Sequence, residues 1–340
     1  MIFEQLFDPE TSTYTYLLAD EHSKDAILID PVLEQVERDL ERLSTLGLNL
    51  AYCVDTHVHA DHVTGAGTLR ARTGCLTAVA ASTGVICADH PLRTGDQLRF
   101  GQHQLEVRHT PGHTNGCASF VVRDGASTLI FTGDTLFIGG CGRTDFQQGD
   151  PATLYRSVHE QIYSLPDDAI IYPGHDYNGK THSTVGHEKA NNDRLRLDIS
   201  EDEFIEIMRD LKLGMPKKIK VAVPANMGCG LPAGVASEAV KEVSPSQITD
   251  LDAYHLIDVR EPHEWTGEHG NITQATKLPQ GDVPAAAEAW DRGQPLLLVC
   301  RSGRRSRSVG EILVGMGFNN VSNLTGGMIA WNEQQGGPAQ

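Results

Sequence analysis

Apolar positions fall into two spacings along this chain, short contiguous runs of strand length and longer stretches recurring every three or four residues. Residues 14–18 and 26–30 are apolar runs that predict strands. From 33 to 46, Val36, Leu40 and Leu43 recur at helical spacing, and Gly47 closes the stretch. Residues 51–55, 117–122 and 129–131 read as further strands, with helices near 151–164 and 184–195. Ser200 with Glu203 three residues on forms a capping box, opening a helix to about Leu211. The Pro- and Gly-bearing segment 222–232 is expected not to form regular helix. Near the carboxyl end, 296–300 is a buried-strand pattern running into an amphipathic helix that reaches about Met316.

The chain is 340 residues long and 39% hydrophobic, enough for more than one core. Its character changes near residue 235, which divides it into a domain at 1–235, a linker at 236–242 and a second domain at 243–340. A net charge of -17 argues against nucleic acid or an anionic membrane as partner and leaves small molecules, with a homo-oligomer compatible. No apolar run is long enough to span a bilayer, and Glu4 and Asp8 stand where a signal segment would be basic and apolar, so a cytoplasmic protein is expected. Seven cysteines, an odd number with no Cys-x-x-Cys, predict reduced thiols.

Candidate chemistry concentrates at residues 57–62, where His57, His59, Asp61 and His62 crowd one short run. His113, Asp134 and His175 recur downstream, each after an apolar stretch and beside a glycine. Imidazole and carboxylate hold zinc or iron, and glycine lets the backbone turn a strand-end side chain into a shared cleft. His22, His103, His159 and His255 lack such company and read as surface or satisfied core residues. A second centre is Cys300, which sits between a strand and a helix in the run Cys300-Arg301-Ser302-Gly303-Arg304-Arg305. Loop amides, the helix dipole and the guanidinium groups of Arg301, Arg304 and Arg305 all favour a thiolate there, hence a nucleophile.

His-x-His-x-Asp-His at 57–62, with the later ligands in order, resembles the metallo-β-lactamase superfamily, which implies an αββα sandwich with metal at one edge. Residues 137–149, 175–179 and 222–230 are similar to its persulfide dioxygenase (sulfur dioxygenase) branch. That resemblance implies one Fe(II) held by His57, His113 and Asp134, with open positions for O2 and glutathione persulfide. It implies glutathione contacts at Thr114, Thr132 and Asp176. Arg143, in a glycine-bearing loop close after Asp134, is placed to pair with a glutathione carboxylate. His59, Asp61, His62 and His175 are then either hydrogen-bonding neighbours of the ligands or ligands of a second ion. Gly139 departs from relatives that carry arginine there, and Cys141 and Cys229 match cysteines of that branch.

The run around Cys300, with residues 256–261, 326–328 and Trp331, resembles a single rhodanese module over 243–335, implying a parallel α/β sheet and a persulfide on Cys300. Asp258 and Arg260 are placed to brace the cysteine loop by ion pairing. Together the halves imply a sulfur-metabolism enzyme acting on glutathione persulfide, thiosulfate, sulfite and glutathione, with sulfur transfer permitted in both directions. Two other readings fit parts of the chain. A glyoxalase II-type glutathione thioester hydrolase shares the ligand motif and uses two metals, and a sulfide-responsive sensing protein would use Cys300 without turnover.

Overall fold

The computed structural model describes residues 1–85, 87–211, 213–214, 218–230 and 240–335. Chain contacts divide it into two compact units, Met1–Gly230 and Leu231–Gln340. The first unit holds two six-stranded sheets. One is ordered β1 (Ile2–Asp8), β2 (Thr13–Ala19), β3 (Asp25–Ile29), β4 (Asn49–Val54), β5 (Leu76–Ala80), β6 (His90–Leu92). The other contains β7 (Gln97–Phe100), β8 (His103–His109), β9 (Ala118–Asp124), β10 (Ser127–Gly133), β11 (Ile170–Pro173) and β12 (Ser183–Thr184), in the order β12-β11-β10-β9-β8-β7.

Three apolar clusters fix the layering. Tyr16, Ile27, Phe100, Phe120 and Phe131 pack between the sheets. Leu17, Leu28, Val36, Leu43 and Leu69 join the first sheet to the helices Val36–Leu46 and Ala66–Thr73. Ile130, Leu154, Ile162, Ile171 and Phe204 join the second to helices at Pro151–Ser157, Val185–Asn191 and Glu201–Asp210. Strands β2 and β10 supply successive residues to opposite clusters, as the two-residue strand period requires. The expected αββα sandwich is therefore present, and so is the capping box at Ser200. The helix expected over 151–164 changes to a π turn at Val158–Ile162.

Two expectations need correction. Ile219–Met227 is helical although Pro224 lies inside it. Pro224 leaves the Lys220 carbonyl without its helical donor, but Lys220 is exposed, so water can replace the bond. Residues 231–232 of that segment lie outside the described residues. The thiols are not all reduced: Cys87 and Cys229, 142 residues apart, form a disulfide. The tail helix folds back beside the metal loop and brings them together, a proximity with no local sequence signal. Cys53, Cys75, Cys117, Cys141 and Cys300 are free and buried.

The second unit is one parallel sheet, β13 (Lys241–Val243), β14 (His255–Asp258), β15 (Thr276–Lys277), β16 (Leu296–Val299) and β17 (Val321–Leu324), in the order β13-β17-β16-β14-β15. Helices at Val283–Ala287, Arg304–Gly315 and Gly327–Gln335 accompany it. Residues 236–239 of the expected linker lie outside the described residues, and its last two belong to β13, where Lys241 and Glu242 pair with Ser322 and Asn323. Among the described residues no helix is long and apolar enough to cross a membrane.

Candidate metal centre and cysteine loop

Strands β8, β10 and β11 run in one direction, so His113, Asp134 and His175 emerge at one edge of the second sheet. In the first sheet, β3 and β4 run parallel and deliver Asp30 and the loop 55–65 from their ends. One ligand atom from each of His57, His113 and Asp134 lies within 4.8 Å of the others, and so do atoms of His59, Asp61 and His62. His113 Nε2 is 3.6 Å from Asp134 Oδ2, and His175 Nε2 is 3.5 Å from Asp134 Oδ1.

Neighbouring hydrogen bonds decide which nitrogen each histidine presents. Thr56 donates through its backbone N and through Oγ1 to Asp30, at 2.7 and 2.8 Å. With that hydroxyl proton committed, Thr56 Oγ1 accepts from His57 Nδ1 at 3.0 Å, leaving Nε2 as the lone pair. His113 Nδ1 donates to the Arg143 carbonyl at 2.6 Å, again leaving Nε2. Glycine is needed twice in this shell. A Cβ on Gly142 would lie 2.9 Å from His113 Nδ1, and one on Gly174 would lie 2.7 Å from Asp134 Oδ1.

Electrostatics separate the histidines. Burial, reinforced by His59 and His113, holds His57 well below the usual histidine range, so it is a neutral donor. Burial also works against a charged His59, but its hydrogen bond and charge contact with Asp30, helped by Asp61 and Asp55, outweigh that and lift it to about 10. Burial opposes ionisation of Asp61 as well, yet His62 and His175 hold its carboxyl well below the carboxylate range.

Asp134 Oδ1 and His62 Nε2 are buried without hydrogen-bond partners, and so is His59 Nδ1, which offers a lone pair only once the ring loses its proton. Such orphans cost free energy unless something accepts their lone pairs, so the residues present fit a metal ion. Two imidazoles and one carboxylate at one edge form the donor set of a facial triad. His59, Asp61, His62 and His175 offer enough further donors for a second ion.

Arg143 pairs through Nε and Nη2 with Asp145, donates through Nη1 to the Gly214 carbonyl, and lies over the Phe146 ring. Asp176 takes the backbone N–H groups of Asn178 and Lys180, shaping the loop after His175. Thr114 is buried with its hydroxyl on Cys117 Sγ, and Thr132 is fully buried with its hydroxyl given to the Leu136 carbonyl. Cys141 is buried against Met208, and burial pushes its thiol up to about 11.

Asp30, Thr56 and Asn226 were not singled out from sequence. Asn226 is buried, donates to the His59 and His62 carbonyls at 2.9 Å each, and accepts from Thr64 N at 2.8 Å. Asp30 had a faint signal, a carboxylate at a strand end. Asn226 stood only within the run 222–230 that carries the family resemblance, with nothing local to mark its role, since its partners lie about 160 residues earlier.

In the second unit, Cys300 directly follows β16, with 1% of its surface exposed. Gly303 takes a left-handed φ of 85° ahead of the helix Arg304–Gly315. Gly327 lies so close beneath the loop that a Cβ would meet the Cys300 carbonyl at 2.2 Å. Arg260 and Asp258 are buried and form a forked ion pair, and Arg260 also donates to the Glu264 and Gly270 carbonyls. Glu264 binds Arg305 through two bonds of 2.7 and 2.6 Å. Asp258 and Arg260 thus pair with each other, and Arg260 reaches the backbone of Glu264, the residue that holds Arg305 of the loop. Arg301 and Arg304 stay exposed.

The metallo-beta-lactamase superfamily profile matches residues 8–175 and the rhodanese-like domain profile matches 245–334. Persulfide dioxygenase ETHE1, mitochondrial, of Mus musculus is 51% identical over 232 residues, covering 68% of this chain and 89% of that protein. The crystal structure of ETHE1 from Myxococcus xanthus superimposes with a TM-score of 0.65 at 48% identity, over 68% of this chain and 100% of that one. A metallo-beta-lactamase from Staphylococcus aureus shares the fold at 22% identity, with a TM-score of 0.62 over 96% of this chain and 98% of its own.

Proposed function

Since the chain belongs to the persulfide dioxygenase family of the metallo-beta-lactamase superfamily and carries a rhodanese-like domain, we propose a bifunctional enzyme that oxidises glutathione persulfide and transfers sulfane sulfur. The observation that carries this reading is the His57, His113 and Asp134 face, with both imidazole tautomers fixed by Thr56 and the Arg143 carbonyl. One Fe(II) held there would supply redox chemistry with O2 and open positions for the substrate sulfur. The remaining donors, His59, Asp61, His62 and His175, orient the ligands.

Glutathione persulfide, O2 and water give glutathione and sulfite. The terminal sulfur loses the four electrons that one O2 accepts, so no flavin or nicotinamide is required. Arg143 would exchange Asp145 for a glutathione carboxylate, and Thr114, Thr132 and Asp176 would shape the rest of that pocket. In the second unit, Cys300 takes a sulfane sulfur as a persulfide, with the exposed Arg301 and Arg304 at hand for an anionic donor such as thiosulfate. Transfer to glutathione would make the substrate of the first site, and transfer to sulfite would trap its product.

One observation favours the hydrolase reading: the unpartnered His62 Nε2, with His59 Nδ1 once that ring loses its proton, is where a second ion would find donors. Anaerobic loading of the protein with Fe(II) or Zn(II) separates the two. Oxygen uptake with glutathione persulfide only in the iron form, and no cleavage of a glutathione thioester in either form, is expected. Thioester cleavage at two metals per chain, with no uptake, would replace the dioxygenase with the hydrolase.

A further inference from the structure

Behind the cysteine loop a line of polar side chains leads from the sulfur to the sheet edge. Ser306 Oγ lies 3.3 Å from Cys300 Sγ and 2.7 Å from Asn323 Oδ1. Asn323 Nδ2 lies 3.1 and 3.0 Å from the two carboxylate oxygens of Glu242. Glu242 in turn accepts from Arg307 and from Thr325 Oγ1, each at 2.8 Å. Ser306 is 0% and Asn323 2% exposed, so no water competes along the inner part of the line.

The proton count gives this arrangement a direction. A carboxylate only accepts, so Glu242 forces Asn323 to turn Nδ2 toward it and Oδ1 toward Ser306. Ser306 has one hydroxyl proton and two acceptors in reach, Asn323 Oδ1 and Cys300 Sγ. While Sγ is the inner, neutral sulfur of a persulfide it accepts weakly, and the proton rests on Asn323. When an acceptor thiolate attacks the outer sulfur, a new S–S bond forms. The bond from the outer sulfur to Sγ breaks, and its electron pair stays on Sγ as thiolate, with no external oxidant or reductant. That charge appears on an atom almost sealed from water, where turning the hydroxyl supplies a charge-assisted bond.

We propose that Ser306 donates to the leaving sulfur of Cys300 during sulfur transfer, and that Asn323 and Glu242 are positioning residues holding its hydroxyl for that turn. The proposal rests on the rhodanese reading of Cys300, so the test reads the two separately. The full chain is loaded with thiosulfate, cyanide-labile sulfur is counted per chain, and single-turnover discharge to glutathione is then followed. Wild type is expected to load one sulfur per chain, and its failure to load would end both ideas.

Ser306→Ala should load as fully but discharge on the order of 10–100-fold more slowly, the worth of one hydrogen bond to a charged group, with half-saturating glutathione unchanged. Ser306→Thr keeps a hydroxyl and should stay within about threefold of wild type, and Glu242→Gln, which loosens the amide, should fall between. Discharge by Ser306→Ala at the wild-type rate would overturn the proposal. So would equal slowing by Ser306→Ala and Ser306→Thr, which would mark Ser306 as packing alone.

Discussion

Thr56 does little for the core, yet it sets which nitrogen His57 offers, because its own proton is committed to Asp30. Replacing it with Val keeps the shape and removes both bonds. Thr56→Val should weaken metal binding about 10–100-fold, the usual effect of deleting a ligand's outer partner, with little loss of helix or strand content. Competition with a chromophoric chelator measures this, and unchanged affinity would show that Thr56 does not set the tautomer. The candidate ligands were legible from sequence because each stands in a short motif at a strand end. Asp30 and Thr56 were not read, because a hydrogen bond between residues 26 positions apart leaves no periodic trace.

The helix Ile219–Met227 acts on the metal loop through Asn226, whose three buried bonds hold the backbone of residues 59–64. Each such bond contributes about 1 kcal/mol, so Asn226→Ala should cost roughly 2–3 kcal/mol of stability and should also loosen metal retention. Urea unfolding with parallel metal counting reads both, and a loss of stability with full retention would confine Asn226 to the fold.

The helix Val36–Leu46 carries the opposite kind of residue. Asp39 is fully buried, and burial lifts its carboxyl to about 6 against the pull of Arg38. An acid whose folded pKa lies above its unfolded value favours the protonated fold, so stability should fall as pH rises from about 4 to about 6 and remain lower beyond. Asp39→Asn is thus expected to stabilise the protein by about 1–3 kcal/mol at pH 7.5 and hardly at all at pH 4. Melting curves at the two pH values would contradict this if the gain were absent at pH 7.5. Amphipathic spacing made the helix itself readable but hid Asp39, which occupies a position the pattern treats as polar surface. Pro224 likewise argued for a loop, and the tertiary contacts of the tail overrode it.

At the scale of the molecule, the two units carry separate chemistry on separate cores. Cys300→Ser should abolish sulfur transfer while oxygen uptake with supplied glutathione persulfide stays within about twofold of wild type, since Cys300 belongs to the second unit's core and not to the metal edge. The order of the domains was legible because both chemical motifs are local. The Cys87–Cys229 disulfide was not, since only the folded tail shows that two of seven cysteines meet. The reaction proposed for the first unit is a four-electron oxidation of a persulfide at a single iron. Its most direct test is oxygen consumed and sulfite formed by anaerobically iron-loaded protein given glutathione persulfide, with metal per chain counted on the same sample. Equal amounts of oxygen and sulfite at about one iron per chain are predicted by the electron balance; oxygen uptake without matching sulfite, or sulfite formed without oxygen, would contradict it.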